Sequence, residues 1–598
     1  MDRKALYAIV LSTLLIITYQ IVFVKPPENL PLDEGMVQKG ASRPEAGVPR
    51  PDAGATISPT PPPGGEPVLG AIPEVGLEEE PVEWATIPVE TPLYALTIDT
   101  RGATIRDLRL VEFEGEEDGP VVLVPNEGPG GLGLILKVRD GEIDLRGTVF
   151  RADRDRVRLR GPEGPDAESR VTLERTLANG LTVKRIFKFR ADSYRIDVDQ
   201  VISRGPSAPE VYSYRLLWEP GIAFTEGDPE NEKREMGAVT FTAGKAITDK
   251  AGKVKEGEPV ERTGARWAAV KNKYFAIALA PDERADADVM IHRMGEEERV
   301  FLDMRIAMPD PVRNETGIGI YAVPLEMDLL KGEGIGLEGL IDLGWVYIRP
   351  ISGLTLTAIN FLYKYVPNYG VVIILISLIT KILFYRLTHK SFKSMKDMQK
   401  IQGQVSALKE KYKGDAQRLN KETMALYKRE GVNPLGGCLP MLLQMPVFIA
   451  LYQVLQRTIG LRRAPFMLWM DDLSRPDVLT NLPFALPFLG THLSLLPLLM
   501  GASMILQQKM TTVDPRQKAL VYMMPVFMTV LFYRLPSGLV LYWFVNNVLS
   551  IGQQYLIHRG DGKGDEPATD AKTTRQSGKS TKGRGRGRSG ASPAKETS

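Results

Sequence analysis

Cysteine and histidine are scarce in this sequence. Its 598 residues include one cysteine, Cys438, and four histidines. A disulfide framework needs paired cysteines, and a zinc site usually takes several cysteine or histidine ligands, so the sequence predicts neither. Cys438 lies in an apolar segment far from the N-terminus, which indicates a small core residue rather than a lipoprotein cleavage site. We expect no metal and no other cofactor.

An excess of one charge is also lacking. The chain has 75 lysines and arginines against 73 aspartates and glutamates, so the total charge indicates no class of partner. GKS at 578–580 is no phosphate-binding loop, because Thr573 stands where that loop begins with glycine. Five apolar segments contain no aspartate or glutamate: 369–388, 434–457, 490–509, 516–534 and 538–557. Neither a coupled-ion carboxylate nor a nucleophile with its base is predicted in them, and we predict that the chain is not an enzyme.

Six apolar runs have the length of membrane spans. The first, residues 5–24, can cross about 30 Å of hydrocarbon, and the five segments above follow it. No small-residue cleavage site closes the first run, which favours an uncleaved anchor at 1–25 over a signal peptide. With six spans, the N-terminus, the basic loops at 389–433 and 509–518, and a disordered basic tail at 558–598 share one side. Lysine and arginine accumulate on the cytoplasmic side, so both termini are predicted to be cytoplasmic.

Two arginines are an exception to this charge pattern. Arg462 and Arg463 fall in the loop at 458–489, which the six-span arrangement places on the opposite side. We expect the acidic residues of the same loop to offset them: Asp471, Asp472 and Asp477.

The chain between the first two spans has three parts. Residues 26–82 are rich in proline, glycine and glutamate, which is typical of a disordered linker. Residues 83–343 alternate apolar and polar residues, and LANGLTV places Asn179 and Gly180 between two strands. A large antiparallel β-sandwich outside the cytoplasm is predicted there. Residues 344–368 mix aromatic and apolar side chains with charges, which favours an interfacial amphipathic helix. A helix packed under the β domain is the alternative.

The loop at 389–433 is predicted to be a basic helical hairpin. Apolar residues recur at helical spacing from Ile401 to Tyr412, Gly414 can end that helix, and Asp415 can cap the next one. Its exposed faces would be either a solvated charged surface or a docking surface for anionic lipid, ribosomal RNA or an incoming chain. The predicted docking residues are Lys393, Lys396, Lys400, Lys409, Lys411, Lys413, Arg418, Lys421, Lys428 and Arg429.

Lys381 lies inside the second apolar span. A lysine at mid-span costs about 2.5–3.5 kcal/mol on insertion scales, so its position needs a reason. In a continuous helix Ser377, Lys381, Tyr385 and Thr388 share one face. Other spans also carry polar residues, among them Gln444, Tyr542 and Asn546. The pattern predicts a hydrated cationic groove that opens toward the cytoplasm, and snorkelling of Lys381 to the membrane boundary is the alternative.

Two apolar segments resemble the signature segments of the YidC membrane protein insertases. They are NPLGGCLPMLLQMPVFIALYQVL at 433–455 and MPVFMTVLFYRLPSGLVLYWFVNN at 524–547. The order of anchor, β domain, interfacial helix, basic hairpin and five-helix core is similar as well. The resemblance implies roles for Ser377 and Trp543 in the groove, and Lys381 stands where the family usually has arginine. The predicted groove residues are therefore Lys381, Ser377, Tyr385, Gln444, Tyr542, Trp543 and Asn546.

This resemblance implies a polytopic α-helical membrane protein of the cell inner membrane. It would have six transmembrane helices, five of them an insertase core, and a large periplasmic antiparallel β-supersandwich domain. Its implied function is that of an insertase and chaperone for inner-membrane proteins, alone or with the Sec translocon. Nascent membrane proteins, the translating ribosome and membrane lipids would be its partners, with no small-molecule substrate. Two alternatives stay open: a polytopic solute transporter or channel, and an envelope-binding module on a membrane anchor.

Overall fold

The computed structural model describes most of the chain after the predicted linker. The described residues are 83–116, 119–161, 167–282, 287–295, 299–308, 313–433, 439–486, 490–511 and 518–561. The predicted anchor at 1–25, the linker at 26–82 and the tail from 562 onward lie outside them.

Nineteen strands form one hydrogen-bonded network in the first described half of the chain. Within the described residues every strand pairing is antiparallel except the short one between β1 and β8, and β12 pairs with both β5 and β18. The strands are β1 Thr86–Glu90, β2 Tyr94–Asp99, β3 Thr104–Glu114, β4 Pro120–Val124, β5 Gly131–Val138, β6 Gly141–Asp144, β7 Arg151–Ala152, β8 Val157–Arg158, β9 Glu168–Thr176, β10 Leu181–Arg190, β11 Arg195–Arg204, β12 Val211–Trp218, β13 Gly237–Thr242, β14 Lys245–Lys250, β15 Val260–Lys271, β16 Phe275–Pro281, β17 Ala287–Met294, β18 Arg299–Ala307 and β19 Arg313–Pro324.

The period-two pattern of the sequence builds this domain. In β10 every second side chain from Leu181 to Phe189 is buried, while the side chains between them are partly or fully exposed. The predicted hairpin at Asn179 and Gly180 is confirmed, because β9 and β10 pair antiparallel across it and Gly180 has φ +82°. β11 then pairs with β10 on one side and with β19 on the other. The buried faces enclose one large apolar core, which makes the region a mostly-β sandwich.

Helices make up most of the second described half. Two short ones belong to the sandwich and its exit, α1 Pro229–Lys233 and α2 Met327–Gly332. The others are α3 Arg349–Tyr365, α4 Tyr369–Leu383, α5 Tyr385–Lys400, α6 Gln402–Lys411, α7 Ala416–Arg429, α8 Leu439–Arg457, α9 Leu495–Thr511, α10 Lys518–Phe532 and α11 Ser537–Asp561. A small hairpin, β20 Thr480–Leu486 and β21 Gly490–Leu493, precedes α9.

The predicted second span at 369–388 is not one straight helix. Phe384 leaves the helical conformation with φ −92° and ψ 6°, and α4 and α5 meet there at an angle of 67°. Among the described helices, this bent pair alone combines the length and apolarity for a membrane crossing, and no unbroken helix does. Lys381 consequently lies in the last turn of α4.

A second apolar core, separate from that of the sandwich, holds the helices together. It joins side chains from α3, α4, α8, α9 and α11, with Phe532 at the end of α10. The helical hairpin made by α6 and α7 follows its predicted local signals. Gly414 has φ +105°, and the Asp415 carboxylate accepts a hydrogen bond from the Arg418 backbone N–H at 2.9 Å, as a helix cap does.

A buried carboxyl group in α1 organises one edge of the sandwich. The Glu232 carboxylate accepts hydrogen bonds from the backbone N–H groups of Thr225 and Glu226 at 2.9 and 3.0 Å, and from the Thr225 hydroxyl at 3.0 Å. Burial raises the pKa of Glu232 to about 7 despite these donors. The folded chain therefore keeps a proton on Glu232 at pH values where the unfolded chain has released it.

Between pH 4.5 and 7 this group makes the β domain less stable as the pH rises. The folded-state pKa lies above the unfolded value of 4.5. The stabilisation that Glu232 gives the folded state is therefore fully present below pH 4.5 and is lost above about pH 7. We predict that Glu232→Gln, which stays neutral, reduces this pH-dependent loss by about 3 kcal/mol. Denaturant unfolding of the full chain at pH 5 and pH 8 measures it. The control is Glu230→Gln, an exposed carboxylate of α1, and equal pH dependence in both variants would contradict the prediction.

Candidate functional site

A polar network crosses the apolar core of the helical bundle, and Lys381 is its charged member. The Lys381 ammonium donates a hydrogen bond to the Ser550 hydroxyl of α11 at 2.6 Å. Ser550 in turn donates to the Asn546 carbonyl, one turn earlier in α11, at 2.7 Å. The lysine thus binds a neutral oxygen, and none of the candidate spans carries a carboxylate of its own. Among the described residues its charge is solvated by a hydroxyl group and has no ion-pair partner.

The same face of α11 contacts other helices through amides. Gln444 of α8 donates from its side-chain amide to the Asn546 Oδ1 atom at 3.1 Å, and Asn546 donates to the Tyr542 carbonyl. Near the end of α11, Gln553 donates to the hydroxyl of Thr388 in α5 at 2.9 Å. Partly buried amides of this kind need partners, so the two pairs between helices help to set how α11 packs against α5 and α8.

One polar contact of α11 was not predicted. Asn547 donates from its side-chain amide to the Ser503 hydroxyl of α9 at 3.1 Å, and both side chains are buried. Asn547 follows Asn546 directly and therefore lies about 100° further round the helix, so a search for residues four apart misses it. The adjacent pair of asparagines in an apolar span was the signal that could have found it.

The predicted stripe of Ser377, Lys381 and Tyr385 is not continuous. Ser377 is fully buried and donates to the Ile373 carbonyl of its own helix at 2.8 Å. Tyr385 lies beyond the bend at Phe384, is 51% exposed, and packs against His389 at a ring distance of 5.9 Å. The bend interrupts the four-residue periodicity between Lys381 and Tyr385, so the two residues belong to different helices. The place of Tyr385 in the groove stays a prediction.

Two other predicted groove residues belong to packed regions. Tyr542 is buried in the helical core. Trp543 makes edge contacts with Phe448 of α8 at 4.6 Å and with Phe532 at 5.1 Å. The structure therefore brings together Lys381, Gln444, Asn546 and Tyr542 around α11, and it leaves Trp543 in an aromatic cluster beside them.

Exposed apolar residues lie on α4, beside Lys381 in the sequence, and on α10. On α4, Ile379 is 52% exposed and Ile382, next to Lys381, is 66% exposed. On α10, Met523, Val526 and Phe527 are each more than half exposed. Large apolar side chains that are more than half exposed on two helices are unusual on a surface that faces water. Such a surface is typical of contact with lipid or with another protein. Lys381 lies at the boundary between the polar network and an apolar outer face of α4.

The basic hairpin presents its cations to solvent. Of the ten predicted docking residues, Lys396 and Lys409 are partly buried and the other eight are exposed. Three of these eight have a carboxylate nearby, Lys400 with Asp397, Lys413 with Glu410 and Arg429 with Glu430. Exposed ion pairs contribute little energy, so the surface keeps its positive character.

Comparison with known proteins identifies the family. Residues 361–563 match the model of the 60Kd inner membrane protein family, and residues 86–351 match that of the YidC periplasmic domain. The membrane protein insertase YidC of Pelobacter propionicus is 35% identical over 574 residues, which cover 94% of this chain and 99% of the relative. The chain belongs to the YidC family of membrane protein insertases.

Further relatives agree with this membership. YidC of Syntrophus aciditrophicus is 33% identical over 580 residues, covering 94% of this chain and 100% of the relative. A crystal structure of an active YidC insertase with its first transmembrane domain resolved matches 80% of this chain and 94% of its own chain, at 18% identity and a TM-score of 0.35. The two family models and the two relatives confirm the resemblance seen in the sequence. The sandwich falls within the part that matches the YidC periplasmic domain, and the family is one of the inner membrane.

Proposed function

We propose that this YidC-family chain inserts and folds integral membrane proteins along the polar network around Lys381, without a catalysed reaction. In this proposal the chain crosses the inner membrane six times, with both termini in the cytoplasm. The observation that carries the proposal is the hydrogen bond from Lys381 to the Ser550 hydroxyl, because this contact is with a neutral oxygen and no carboxylate of the described residues pairs with the lysine. A solute transporter or channel is not favoured, because the relatives are named as insertases.

The proposed mechanism lowers the cost of moving charged chain segments into the bilayer. Hydrocarbon rejects unpaired polar groups and charges, and an incoming segment meets this barrier before it reaches the far side. Water around the network would shorten the apolar distance, and Lys381 would attract acidic residues that pass it. The exposed apolar side chains of Ile379 and Ile382 lie next to the lysine. An incoming apolar segment would move there from the polar path into lipid.

Lysine suits an electrostatic role in this position. Its ammonium is a compact charge with three rotatable donors, whereas arginine offers a planar fork that binds carboxylates through two hydrogen bonds. One donor of Lys381 binds Ser550, and in this proposal the other two bind water or an acidic residue of the substrate. We infer that attraction of acidic segments does not depend on a fork-shaped contact here.

The exposed basic hairpin supports a docking role for α6 and α7. Its six exposed cations, together with the exposed Lys393 and Lys400 of α5, would bind anionic surfaces, foremost the RNA of a translating ribosome. The Sec translocon and membrane lipids are the further proposed partners. A hairpin that holds the ribosome there would deliver the nascent chain to the cytoplasmic end of the groove.

We predict that Lys381→Arg keeps insertion of a single-span substrate with acidic residues in its translocated segment, whereas Lys381→Ala and Lys381→Glu reduce it severalfold. The reason is that attraction requires a cation at this position. Insertion into proteoliposomes, or into membranes depleted of the native insertase, measures the effect. The control is Lys364→Ala, an exposed lysine of α3. Equal insertion by all Lys381 variants would leave this lysine with a snorkelling role alone.

We also predict that replacing Lys411, Lys413 and Lys421 together by glutamine weakens ribosome binding and makes it less sensitive to salt. Each lost phosphate contact removes counterion release from the binding free energy. Co-sedimentation with ribosomes at increasing salt measures both effects. The matched control replaces three exposed lysines of the β domain, Lys137, Lys245 and Lys253. The docking proposal fails if the two triple variants bind ribosomes equally well.

A further inference from the structure

Four arginines, one at the end of α8 and three in the segment that joins α8 to α9, contact carboxylates of the β domain. Arg457, at the end of α8, donates through two nitrogens to the two oxygens of Glu235, at 3.1 and 3.0 Å. Both side chains are almost entirely buried. A two-point contact of this kind fixes orientation as well as distance.

The second pair is the most deeply buried one. Arg462 donates from Nε to Glu226 at 2.7 Å, and the two side chains are 4% and 9% exposed. The guanidinium also lies over the ring of Phe275, at 5.6 Å from its centroid. Neither charge has much access to water, so each depends on the other.

Two further arginines, which are more exposed than Arg457 and Arg462, extend the same contact. Arg463 donates to the Glu114 carboxylate at 2.9 Å. Arg475 pairs with Glu116, and it also lies 3.7 Å from Glu226. All four cations therefore come from one segment and all four anions from the β domain. Of the acidic residues expected to offset Arg462 and Arg463, Asp472 also pairs with Arg475 at 3.3 Å, so this arginine is shared between its own loop and the β domain.

Both sides of this contact are held in place by their own hydrogen bonds. On the β domain, Glu232 binds the backbone N–H of Glu226 and so positions its side chain. On the helical side, Asp472 accepts hydrogen bonds from the Arg463 N–H and from Ser474. Asp477 accepts from the N–H groups that begin α9, at 2.9 and 3.1 Å. The charges meet as two preorganised surfaces, which reduces the entropy lost in forming the pairs.

We propose that these four pairs form a docking interface that holds the sandwich against the end of α8, so that the β domain is a fixed part of the insertase rather than a freely tethered module. The partner of the acidic surface is the chain's own segment 457–475. The interface also accounts for Arg462 and Arg463, which oppose the charge pattern of the other loops. Docking does not depend on the proposed insertion mechanism.

Hydrogen exchange of the purified full chain in nanodiscs tests the interface. We expect Glu226→Gln with Glu235→Gln to accelerate exchange severalfold in peptides from 457–475, while peptides from β10 and β11 stay unchanged and report an intact sandwich. The matched control is Glu258→Gln with Glu261→Gln, two exposed carboxylates elsewhere on the β domain. Unchanged exchange in the interface variant, or equal acceleration in the control, would overturn the proposal.

A charge swap separates ion pairing from packing. Arg457→Glu alone is expected to accelerate exchange in 457–475, and adding Glu235→Arg is expected to slow it again because the pair is restored with opposite polarity. A swap that exchanges as fast as the single variant would refute an electrostatic interface. The measurement needs no insertion assay, so its failure leaves the proposed function untouched.

Discussion

A lysine in an apolar helical bundle must find oxygen atoms or water, and this requirement shapes the centre of the molecule. Lys381 meets it through Ser550, and Ser550 is one member of a polar ridge that follows α11. The amides of Gln444 and Asn546 extend the ridge to α8. The charge is thereby tolerated without being cancelled, because a hydroxyl contact solvates an ammonium and leaves its field available to a passing anion.

The two halves of the protein have different kinds of core. The sandwich buries alternate side chains of its strands, and the helical bundle buries a separate apolar cluster that is interrupted by the polar ridge. Arginine–carboxylate pairs connect the halves, and the most buried of them joins Arg462 to Glu226. The sandwich and the helices that carry the polar ridge are thus joined at the C-terminal end of α8, the helix that supplies Gln444 to the ridge.

Features with a local signal could be predicted from the sequence, and features made by distant residues could not. The turn at Asn179 and Gly180 and the cap at Asp415 rest on neighbouring residues, and both are present. The bend at Phe384 lies at no proline or glycine, so the sequence predicted one continuous helix from Ser377 to Thr388 where the structure has two. The pairs of Arg457 and Arg462 join residues more than 200 positions apart, 222 and 236 respectively, which no local pattern encodes.

Water access to position 381 tests the central claim most directly. The single native cysteine is first removed by Cys438→Ala. Two variants of this chain then carry one new cysteine each, Lys381→Cys at the position of the lysine and Ile382→Cys on the exposed apolar face of α4. A charged, membrane-impermeant thiol reagent applied from the cytoplasmic side should modify the first and leave the second nearly untouched. Modification at position 381 no faster than at 382 would show that the lysine faces a dry environment, and the hydrated groove would be refuted.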